Sequence, residues 1–75
     1  MVSNKETVLA ELKELILQLN TAYENTEGLR DGLTDWPNET ELKDPVNDVR
    51  GMLFNSIQEL NRLKHKIVKM EVQND

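Results

Sequence analysis

From residue 46 to residue 70 the apolar positions recur in strict alternation. Val46, Val49, Leu53, Ser56, Leu60, Leu63, Ile67 and Met70 are separated by steps of 3, 4, 3, 4, 3, 4 and 3. This is a heptad seam with one small polar residue, Ser56, in it. It predicts a single long amphipathic helix that needs another helix to lie against. A second seam precedes it: Val8, Leu12, Leu15, Leu19, Ala22, Thr26, Leu29 and Leu33, with steps of 4, 3, 4, 3, 4, 3 and 4. Leu9, Ile16 and Tyr23 form another row beside this one. The apolar face is therefore wider than a two-stranded seam requires, as in a helix of a bundle.

Local signals place the ends. Ser3-Asn4-Lys5-Glu6 fits a capping box, with Ser3 accepting from the Glu6 amide and the Glu6 carboxylate reaching back. The first helix is expected over about residues 4–33. Gly28 and Gly32 both disfavour a helix interior and either suits a C-terminal cap, so the end is placed between Gly32 and Asp35. The connector is residues 34–44, where Pro37 disfavours the helical region for Trp36. Asp44-Pro45 reads as N-cap and first helical residue, in preference to a helix already under way from Asn38. The second helix is then expected over about 45–72.

A connector of that length makes an antiparallel hairpin the simple arrangement. Two registers suit the seams. In the favoured one, facing position numbers add to about 82, and Thr26 and Ser56 share one polar layer. In the other the sum is about 78, and Ala22 faces Ser56. Either way Leu9, Ile16 and Tyr23, with Met52, Phe54, Ile57 and Val68, stay partly uncovered. Each large apolar side chain contributes roughly 1.5–3 kcal/mol when fully buried, so a second copy is expected to cover them. Two hairpins about a two-fold axis make a four-helix bundle. The expected fold class is thus all-α: a single domain over residues 1–75, a coiled-coil-like two-helix hairpin that homodimerises.

Totals sharpen this picture. Seventy-five residues without cysteine cannot be stapled by a disulfide, and an aromatic content of 4% leaves the core to aliphatic side chains. The net charge of −5 argues against a general nucleic-acid binder. It is unevenly spread: residues 1–49 hold eleven acids and four bases, whereas residues 50–75 hold five bases and three acids. Two such halves attract when they fold back on one another. No apolar run reaches membrane-spanning length, and the first residues lack the apolar stretch of a signal peptide, so a cytoplasmic location is expected.

Candidate chemistry is sparse. His65 is the one histidine, it lies between Lys64 and Lys66, and it has no cysteine or second histidine as co-ligand. The acids of the first half lie mostly off the seam and form no Glu-x-x-His pair of the kind used in di-metal bundles. Glycines 28, 32 and 51 follow no nucleotide motif, and Asn38-Glu39-Thr40 matches a glycosylation acceptor by chance. No catalytic, cofactor or metal residue is therefore expected, nor any small-molecule substrate, nucleic acid or membrane. Arg62, Lys64, Lys66 and Lys69 complement the C-terminal helix dipole.

Trp36 either folds over the open end of the bundle near Leu33 and Val46 or anchors a contact, since tryptophan is enriched among binding hot spots. The expected function is a small non-catalytic interaction module, a regulator, adaptor or inhibitor of another protein. Its contact residues are expected among Trp36, Tyr23, Met52 and Phe54, with Leu12, Leu19, Leu60 and Ile67 structural. The alternatives are a structural subunit of a larger helical assembly, and an acidic decoy for a nucleic-acid-binding protein.

Overall fold

The computed structural model describes residues 5–70. The chain forms two helices, α1 (Lys5–Gly32) and α2 (Glu39–Lys69), folded back on one another as an all-α hairpin. The rod measures 61 × 15 × 14 Å. The proposed capping box at Ser3 and the last predicted residues of the second helix fall outside the described residues. No helix among the described residues is long and apolar enough to cross a membrane.

The heptad rows are present, but both seams are turned by one position from those expected. On α1 the residues that lose solvent are Leu9, Leu12, Ile16, Leu19, Tyr23, Thr26, Arg30 and Leu33, with Ala22 at the margin. On α2 they are Glu39, Lys43, Val46, Arg50, Leu53, Ile57, Leu60, Lys64 and Ile67, with Asn61 at the margin. The rows Leu12/Leu19/Thr26/Leu33 and Val46/Leu53/Leu60/Ile67 lie where the sequence pattern puts them. The companion rows do not. Val8, Leu15 and Leu29 on α1, and Val49, Ser56, Leu63 and Met70 on α2, are exposed.

The physical reason lies in Arg50 and Lys64. Both are half-buried, and the Arg50 guanidinium lies against Tyr23 of the neighbouring helix. A polar residue type thus takes a core-facing position, and Val49 and Leu63 are left about 100° round the helix.

Cross-helix contacts fix the register. Arg50 reaches Tyr23, Tyr23 meets Phe54, Arg30 donates to Asn47, and Lys5 donates to the carbonyls of Val68 and Met70. The position numbers across these contacts add to between 73 and 77. The favoured sum of 82 is therefore wrong, and the alternative of 78 lies closer. The polar layer does not form: Ser56 is exposed, and the Thr26 hydroxyl donates to the Tyr23 carbonyl of its own helix at 2.6 Å.

The turn is tight. Leu33, Thr34 and Trp36 close it with amide bonds to Arg30, Asp31 and Leu33. α1 ends at Gly32, but the left-handed positions are Asp35 (φ 70°) and Asn38 (φ 59°). Acidic and amide side chains tolerate that region better than other non-glycine types. α2 begins at Glu39, before the Pro45 start expected from the sequence, and its first helical bond runs from the Leu42 amide to the Asn38 carbonyl at 3.0 Å. Pro45 sits inside the helix and is exposed, as is Glu41, whose carbonyl its missing N–H would have engaged. Pro45 therefore removes one intrahelical bond at a solvent-facing position without ending the helix.

At the other end the Lys5 ammonium donates to the Met70 carbonyl at 2.8 Å and to that of Val68 at 3.3 Å. It places a cation at the C-terminal end of α2, where the helix dipole favours positive charge.

Candidate protein-interaction surface

Burial within the hairpin is slight. Among the described residues only Leu12 and Ile57 are buried, and no side chain is fully enclosed. What a partner would meet therefore follows from the two rows that flank the seam. On one flank α1 presents Val8, Leu15, Ala22 and Leu29, and α2 presents Val49, Ser56, Leu63 and Met70. On the other flank α1 presents Glu6, Lys13, Asn20 and Glu27, and α2 presents Asn47, Phe54, Asn61 and Val68. The first flank is apolar along most of the rod and the second is mostly polar. That the flank rows of both helices share one side is seen at mid-rod, where Leu15, Leu19, Ser56 and Leu60 line one open groove together with Asn55 and Glu59. Met52, one turn from Val49 and Ser56, widens the same side and is 60% exposed.

The four side chains put forward from the sequence do not form one site. Tyr23 and Phe54 come together, with ring centroids 6.2 Å apart. Tyr23 is half-buried and engaged, because the Arg50 guanidinium covers its ring and donates to its hydroxyl at 3.0 Å. Phe54 stays about half exposed beside it. Met52 belongs to the apolar flank. Trp36 lies in the turn and is 57% exposed.

Sequence reasoning passed over Val49, Leu63, Leu15 and Leu29 as surface residues because it assigned them to the seam. The signal that separates them is that Tyr23 and Arg30, and Arg50 and Lys64, recur at heptad multiples of 7 and 14 residues with amphipathic side chains.

A polar network holds the turn. The Glu39 carboxylate accepts from the Asp35 amide at 2.8 Å and from Lys43 at 2.8 Å, and Lys43 also donates to the Thr34 hydroxyl at 3.0 Å. The Lys43 hydrogen bond, and after it the Asp35 amide, hold the Glu39 carboxyl below the usual carboxylate range. Along α2, Glu59 pairs with Arg62 at 3.0 Å. Among the described residues no three His, Cys, Asp or Glu side chains come close enough to hold a metal ion.

No protein-family model, curated protein or solved structure matches this chain.

Proposed function

We propose that the chain is a non-catalytic protein-interaction module: a helical hairpin that pairs with a second copy into a four-helix bundle and, as a small cytoplasmic regulator, adaptor or inhibitor, binds another protein. The observation that carries this is the imbalance between buried and exposed apolar residues. Two side chains are buried, while twelve large apolar ones stay exposed among the described residues. Monomers rarely leave a continuous apolar flank open to water. In the bundle, Trp36 at the turn and Phe54 with its Tyr23 support stay accessible for the second partner, and Met52 passes to the contact between copies.

The same shortage of buried residues favours a second reading, a structural subunit of a larger helical assembly. Helicity against concentration separates the two. A self-pairing module is helical at micromolar concentration, and its melting temperature rises with protein concentration because association stabilises only the folded state. A chain largely unfolded at those concentrations belongs to the subunit reading. A helical chain whose melting temperature ignores concentration contradicts self-pairing.

A further inference from the structure

We propose that the apolar flank carrying Val8, Leu15, Leu29, Val49, Met52 and Leu63 docks onto the same flank of a second copy in antiparallel orientation, with the two turns at opposite ends of the bundle. The inference rests on the self-pairing reading above and adds to it a face and an orientation.

Size supports a second copy as the occupant. The exposed apolar residues of this flank run from Leu42 to Met70 along α2, about 42 Å at 1.5 Å of rise, and over the 15 Å width of the rod present roughly 630 Å², at the lower edge of the roughly 600–1,000 Å² per partner of a standard specific interface. A two-fold contact uses the same patch on both chains, so an apolar flank along one side of the helices complements itself.

Charge sets the orientation. The turn half of the hairpin, residues 20–56, carries eight acids (Glu24, Glu27, Asp31, Asp35, Glu39, Glu41, Asp44 and Asp48) against three bases, a net of −5. The opposite half, residues 1–19 and 57–75, carries six bases (Lys5, Lys13, Arg62, Lys64, Lys66 and Lys69) against six acids, a net of zero. Antiparallel docking sets the −5 half of each copy beside the neutral half of the other. Parallel docking sets −5 against −5, and like charges at that spacing repel within the Debye length of physiological salt.

The chain has no cysteine, so a single spin label can be placed at Thr40→Cys, an exposed position beside the turn and away from the apolar flank. At 1.5 Å of rise per residue the antiparallel bundle puts the two labels more than about 40 Å apart, whereas the parallel one puts them within about 30 Å. Flank variants identify the face. Leu15→Glu and Leu63→Glu should lower the mass at tens of micromolar from two chains to one, and Leu17→Glu, on the other side of α1, should leave it at two.

A long label distance with loss of pairing in the two flank variants is the expected result. A two-chain wild type with a short label distance overturns the orientation. Pairing that survives Leu15→Glu and Leu63→Glu but fails in Leu17→Glu overturns the face. A wild type of one chain overturns the self-pairing reading itself. The label distance is read on an otherwise native chain, so it decides even if a flank variant fails to fold.

Discussion

The Arg50 guanidinium lies over the ring of Tyr23, its carbon 4.4 Å from the centroid, while Nη2 donates to the phenol oxygen at 3.0 Å. One residue of α2 thereby engages both the face and the hydroxyl of one residue of α1, and Phe54 packs against the same ring one turn along. Arg50 Nη1 is buried without a hydrogen-bond partner among the described residues, so the attraction to the ring face offsets part of its desolvation. Tyr23→Phe keeps the ring and removes the acceptor, and should cost about 1 kcal/mol. Tyr23→Ala removes the ring as well and should cost at least about 2 kcal/mol more. Urea unfolding at one fixed protein concentration measures both. Equal costs would show that the ring contact contributes nothing.

The turned seam makes a paired prediction at adjacent residues. Ile57 is buried and Ser56 is exposed. Ile57→Ala should destabilise by roughly 2–4 kcal/mol, and Ser56→Ala should stay within about 0.5 kcal/mol of the wild type. A large loss at Ser56 with a small one at Ile57 would restore the seam expected from the sequence.

That pair marks where the sequence was legible and where it was not. The hairpin and the rows through Leu12, Leu19, Leu53 and Leu60 follow from apolar spacing alone, because those positions are apolar and they also face the neighbouring helix. Their companion rows are ambiguous. Val49 and Leu63 are more hydrophobic than Arg50 and Lys64, so hydropathy selects them, yet the longer side chains lie across the seam and leave the shorter apolar ones outside. The start of α2 was misread for a local reason. Asp44-Pro45 carries the chemistry of a helix start, but the Glu39 carboxylate organises the chain earlier by accepting the Asp35 amide. The apolar flank was visible only as an excess of apolar residues; its location needed the register.

Acid should loosen the turn. Glu39 has its folded pKa lowered by Lys43 and by the Asp35 amide. A carboxyl whose folded pKa is lowered stabilises above its unfolded value, and that contribution is lost as pH falls through the folded value. Stability should therefore fall as the pH drops from the ordinary carboxylate value downward, and Glu39→Gln should lack that part of the slope. Thermal melts between pH 6 and pH 3 at fixed ionic strength make the comparison. Parallel pH profiles for the two proteins would exclude Glu39 as the source.

The left-handed position before α2 gives a backbone test. Asn38 has φ 59°, where a side chain with Cβ crowds the following carbonyl and glycine does not. Asn38→Ala should destabilise by about 1 kcal/mol, and Asn38→Gly should be neutral or slightly stabilising. Equal losses in both variants would mean that the Asn38 side chain, and not its backbone conformation, matters at the turn.

Pairing through the apolar flank is the claim on which the functional reading depends, and solution mass tests it most directly. Light scattering after size exclusion, on untagged protein over a hundredfold range of concentration, should give two chains at the upper end and a shift toward one on dilution. A helical species of one chain at every concentration would contradict it, and would leave the hairpin stable with its apolar flank open to water.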